Sequence, residues 1–88
     1  SSGVVDRRPV VHRMFPKMIR AGEKVELLVT GQELWRKPNL LIGAQKADSL
    51  WTHNSMTGIT ATFEKVDYPC DWLLGVGYII VSGWRYYF

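Results

Sequence analysis

Between Ala21 and Thr30 the chain reads AGEKVELLVT, and its apolar residues keep strict time. Val25, Leu27 and Val29 share one parity, Lys24, Glu26 and Thr30 take the other, and Leu28 is the one apolar residue on the polar side. Successive side chains of a strand point to opposite faces, so this pattern predicts a strand with one buried face. The stretch Gly58 to Val66 repeats it, with Ile59, Ala61 and Phe63 alternating with Thr60, Thr62 and Glu64. Both strands should face the same core.

The rest of the chain breaks at turn residues. Eighty-eight residues hold one domain, since a second core could not be filled. Residues 1–9 read as a polar, extended arm or linker ending at Pro9, and residues 10–88 as the domain. Val10 to Phe15 is a short strand stopped by Pro16, most easily at a sheet edge, because proline cannot donate to a ladder. A helix from Met14 to Arg20 would be broken early by the same proline. Met18 or Ile19 is expected to plug the corner into the central strand, with turns at Gly22 and Gly31. Of the adjacent Leu34 and Trp35, which an extended chain points opposite ways, Leu34 is expected inside. Leu40 to Ile42 is a short strand, Ala44 to Asp48 continues it or turns into a neighbour, and Ser49 to His53 carries Leu50 and Trp51. Asp67 to Trp72 is expected to be a loop. Gly75 to Val81 is apolar on both parities, and Trp84, Tyr86 and Phe88 alternate with Arg85 and Tyr87 in a last strand. About seven short strands with no amphipathic helix predict an all-β sandwich or small barrel.

The order of landmarks resembles the IPT/TIG family of immunoglobulin-like domains. The residues that carry the likeness are Val11 to Pro16, then Ala21-Gly22-Glu23-Lys24, the alternating strand Val25 to Gly31, and Leu34. Leu40 to Ala44 (LLIGA) and Ile59-Thr60-Ala61-Thr62-Phe63 continue it. The chain departs from that pattern by placing Glu64 to Tyr68 ahead of Pro69 and by its heavily aromatic last strand. The resemblance implies an immunoglobulin-like β-sandwich. Such domains serve cell-surface receptors, DNA-binding transcription factors, bacterial surface and polysaccharide-acting proteins and viral particles, and fold alone does not choose among these.

Chemistry-bearing residues are sparse. A Cys70–His53 nucleophile pair would need the imidazole within hydrogen-bond reach of the sulfur and a third orienting group, and a lone thiol beside a Tyr-Pro turn is more often a packed residue. His12 lies between Val11 and Arg13 in a strand, where a structural or surface role is expected. One cysteine and two histidines without HxxxH or CxxC spacing argue against a zinc site. Gly75-Val76-Gly77 has no third glycine or following helix to cradle a phosphate. No catalytic residue, metal or cofactor is therefore expected, and no enzyme activity.

What remains is surface. A net charge of +3 is far from the loading of a dedicated nucleic-acid binder, so a nucleic-acid partner is not expected. No apolar run approaches the roughly 20 residues that span a bilayer, and membrane insertion is not expected. Four Trp are more than so small a core can bury. Trp84 and one of Trp51 or Trp72 are expected inside, which leaves Trp35, beside Arg36 and Lys37, as an exposed anchor for a protein or a carbohydrate. The segment containing Tyr78, Ile80, Trp84, Tyr86 and Phe88 is expected to meet a neighbouring subunit or the rest of a parent polypeptide, because an uncovered apolar hairpin is rare unless used. The start at Ser1 suggests a processed product or excised piece. The expected role is a non-catalytic module that builds or decorates a cell-surface protein or viral particle, in an extracellular, cell-surface or virion setting; the alternative is a carbohydrate- or nucleic-acid-binding module using exposed Trp and basic residues. Dispersed charge makes one outcome specific. Titrated with salt, any retention of a single-stranded oligonucleotide should lack the slope of about 0.7 log units per tenfold salt for each phosphate contacted.

Overall fold

A computed structural model describes residues 8–34, 38–53, 57–67, 69–71 and 77–87. These residues are all-β, without a helix, in ten short strands: β1 (Val10–Phe15), β2 (Met18–Ile19), β3 (Val25–Gln32), β4 (Leu40–Ile42), β5 (Gln45–Lys46), β6 (Ser49–Thr52), β7 (Gly58–Phe63), β8 (Cys70–Asp71), β9 (Tyr78–Val81) and β10 (Trp84–Tyr87). One four-stranded sheet runs β1-β3-β7-β6, a second runs β10-β9-β4-β5, and β2 pairs with β8 in a small ribbon. Every pairing is antiparallel.

The alternation of β3 and β7 decides which face of the first sheet is dry. Leu27 pairs with Ala61 and Val29 with Ile59, and all four are fully buried. Phe63, opposite Val25, closes the same row and is buried, while Val25 itself is half-buried at its rim. The second sheet contributes Leu40, Ile42, Ile79 and Val81 to the same cluster, β1 contributes Met14, and Ile19, Leu34 and Val66 plug its ends. Ile19, not Met18, is the corner plug, and Leu34 does point inward. Val10–Phe15 is an edge strand, as its proline stop predicts.

Several expectations are corrected. The domain divides into more strands than seven, because turns interrupt the ladders after only two or three residues. Asp67 to Trp72 is not wholly a loop, because Cys70 and Asp71 pair with Ile19 and Met18; no helix forms over Met14–Arg20, as Pro16 predicts. The β7 strand stops at Phe63 instead of Val66, where Gln45 takes over: its amide donates to the Lys65 carbonyl at 2.7 Å and its carbonyl accepts from the Asp67 amide at 2.8 Å. Gly31 is not a turn residue but lies within β3. It is buried, and a Cβ built on it would overlap the Val10 carbonyl oxygen. Glycine therefore lets β1 approach β3 closely.

That close approach sits beside a bulge. Val11 pairs with Gly31 and Arg13 with Thr30, so His12 is an extra residue on β1. The extra residue resets the parity of β1, and Val11 and Met14, three apart, both pack against the core. Replacing Gly31 by Ala should push β1 off β3 and destabilise the fold by about 1–3 kcal/mol, read from denaturant unfolding, whereas Thr30→Ala beside it should stay within about 0.5 kcal/mol.

Candidate interaction surfaces

The last hairpin turns through Ser82 and Gly83, both at positive φ (52° and 86°). That is the type I′ geometry whose twist matches paired strands, and it places Val81 opposite Trp84. Antiparallel ladders alternate hydrogen-bonded and non-hydrogen-bonded pairs, so Trp84 and Tyr86 bond to β9 while the backbone groups of Arg85 and Tyr87 point away from it. Among the described residues no strand pairs with that side of β10.

Side chains alternate across this edge. Tyr86 turns toward the core, and its hydroxyl donates to the Pro9 carbonyl, joining the second sheet to the start of β1. Trp84 shares that parity but is 46% exposed, which overturns the expectation that it is a core residue: it lies at the end of the edge strand, where it is covered by the Arg8 guanidinium 4.9 Å from its ring centre. On the opposite face Arg85 lies 4.9 Å over the Tyr78 ring and donates to the Tyr87 hydroxyl at 3.1 Å. Tyr78 and Tyr87 stand at a ring distance of 5.5 Å. The hydrogen bond to Tyr87, with the fields of Tyr87 and Tyr78, pushes the Arg85 guanidinium above its ordinary value. Between β1 and β10 the two sheets leave a cleft of about 340 Å³, lined by Arg8, Pro9, Val10, Val11, Trp84, Arg85 and Tyr86. Ile80 is half-buried behind Arg85.

A second surface was not anticipated. On the outer face of the first sheet, Phe15 pairs with Leu28, Leu28 with Thr60, and Thr60 with Trp51. These four residues form one continuous row across all four strands, about 14 Å long at three inter-strand spacings. Phe15 is 67% and Trp51 60% exposed, so Trp51 is not a core residue either. His53 stacks on Trp51 at 4.4 Å between ring centres, and its Nε2 shares a 2.8 Å hydrogen bond with the Thr60 hydroxyl.

Of the residues singled out from sequence, Tyr78, Ile80, Trp84 and Tyr86 are brought together in one hairpin. Trp35, Arg36, Lys37 and Phe88 lie outside the described residues, as do Trp72 and the Cys70 side chain of the weighed Cys70–His53 pair. His12 is exposed on the β1 bulge. The Phe15–Trp51 row escaped sequence reading because its members come from four separate strands; the one local signal was Leu28, the apolar residue on the polar parity.

No family model matches the chain, and neither the curated proteins nor the solved structures contain a match to it. The interactions themselves therefore carry the functional argument. Tyr86→Phe removes the bond to Pro9 and should lower stability by about 0.5–1.5 kcal/mol in chemical denaturation, with faster amide exchange at Val10 and Val11.

Proposed function

We propose that the chain is an immunoglobulin-like β-sandwich of divergent IPT/TIG type, and that it acts as a non-catalytic module building or decorating a larger assembly through protein–protein contacts. The observation that carries this reading is the edge of β10. It combines outward-facing backbone groups at Arg85 and Tyr87 with two large exposed rings, Trp84 and Tyr87, the latter 64% exposed. Edge strands of natural proteins are usually blunted, by bulges, prolines or cover. In the first sheet β1 is blunted in this way, by the His12 bulge and by Pro16. Strand β10 has neither device, and its one charge, Arg85, is held down against Tyr78 and Tyr87.

Such an edge suits strand addition, in which main-chain bonds supply affinity and alternate side-chain contacts supply selectivity. The neighbour is another subunit or the remainder of a parent polypeptide. On one face an added strand would meet Trp84 and Arg8, and on the other Tyr87 and Arg85. The partner strand that fits is therefore aromatic or acidic.

The test uses hydrogen exchange across a concentration series. The Arg85 and Tyr87 amides should exchange rapidly in dilute solution and gain protection as light scattering reports association. Arg85→Pro removes one outward N–H while sparing the bonds of Trp84 and Tyr86 to β9, so it should leave the hairpin folded and abolish that gain. A dilute monomer in which both amides are already fully protected would sink the proposal.

A further inference from the structure

The outer face of the first sheet is a different surface from the β10 edge. Its central row, Phe15–Leu28–Thr60–Trp51, is apolar except for Thr60. The row toward one end of the strands holds Glu26, Thr62 and Ser49, and the row toward the other holds Arg13 and Thr30. The face is thus banded, with an anionic side, an apolar middle and a cationic side. Beyond Glu26, Lys24 is paired with Glu64 at 3.8 Å, so that margin adds no net charge. Neither Arg13 nor Glu26 is held in an ion pair among the described residues.

We propose that this face binds a second copy of the chain, through a two-fold axis lying along the apolar row. Rotation by 180° about that axis lays the row of one copy on the row of the other and reverses the strand direction. Each Arg13 then lies over the band holding the other copy's Glu26, one strand spacing to the side, about 4.8 Å. Sheets stacked face to face stand about 10 Å apart, a gap that Arg and Glu side chains reaching from opposite walls span together. A two-fold contact must be self-complementary, and a face with opposite charges on either side of an apolar axis meets that condition.

The chemistry of the row favours a protein surface over a sugar. A saccharide stacks on an indole but also needs hydrogen-bonding groups beside it. Here the nearest polar side chains are turned on each other, His53 Nε2 sharing a hydrogen bond with the Thr60 hydroxyl while the imidazole packs on the indole. What the row offers is mainly apolar area, from Phe15, Leu28 and Trp51, and area of that kind is gained by burial against like area.

Sedimentation or light scattering of the 88-residue chain over a concentration series tests the assignment. In the Arg85→Pro background, which lacks the β10 contact, the mass should double with concentration, and adding Trp51→Ser should return it to the monomer. Arg13→Glu and Glu26→Arg should each weaken the dimer by roughly tenfold, and the double exchange should restore most of that loss. Arg85→Pro, on the other surface, should leave this dimer intact, which separates the two contacts. All of these positions are exposed, and unchanged far-ultraviolet circular dichroism checks that each variant is folded. A chain that stays monomeric at every concentration, a dimer indifferent to Trp51→Ser, or a charge exchange without rescue would each overturn the proposal. So would a monomer retained on immobilised glycans in a Trp51-dependent way, which would assign the row to carbohydrate.

Discussion

A slip of one residue between β3 and β7 would carry Leu27 and Val29 into water and bring Glu26 and Leu28 into the core. With about 1.5–3 kcal/mol at stake for each of these two side chains, such a slip would forfeit a large share of the roughly 5–15 kcal/mol that holds a domain folded. The pairing Leu27–Ala61 and Val29–Ile59 is therefore the constraint on which the other elements depend. Once it is set, the dry face of the first sheet is defined, and β4 and β9 supply the opposing wall through Leu40, Ile42, Ile79 and Val81.

The same parity that fills the core also fixes the outer surface. If Leu27 and Val29 face in, Leu28 must face out, and the register then aligns it with Phe15 on one side and with Thr60 and Trp51 on the other. The exposed row is thus a by-product of the register, kept apolar by residue choice at four positions. A polar residue at position 28 would have fitted the strand pattern equally well. In the hairpin the analogous link runs through Tyr86, which packs against the core and bonds to Pro9, so that Trp84, Arg85 and Tyr87 are carried at an edge anchored to both sheets.

How far the sequence could be read follows from the range of each interaction. The β3 and β7 strands were legible because alternation is a local signal. Parity shows only that Met18 and Ile19, or Leu34 and Trp35, point opposite ways: Leu34 is expected inside, and the choice between Met18 and Ile19 stays open. The ribbon between Met18-Ile19 and Cys70-Asp71 was not legible, since two-residue strands have no period to detect and their pairing spans most of the chain. Trp84 was misplaced for a related reason. Its parity is inward, but inward at the end of an edge strand means against the Arg8 guanidinium and solvent, and parity alone cannot tell where the opposing sheet stops.

The His12 bulge places an unusual kind of constraint on β1. The imidazole is exposed, so its identity is nearly free, yet the position it occupies is what allows Val11 and Met14 to share the core face from positions three apart. Deleting it would leave Val11 and Met14 two apart and on one face, so their pairing with Gly31 and Val29 and their place against the core could both be kept. It would, however, straighten the edge into a regular ladder, the form most open to runaway accretion of further chains. At this point on the molecule the count of residues is under constraint, while their identity is not.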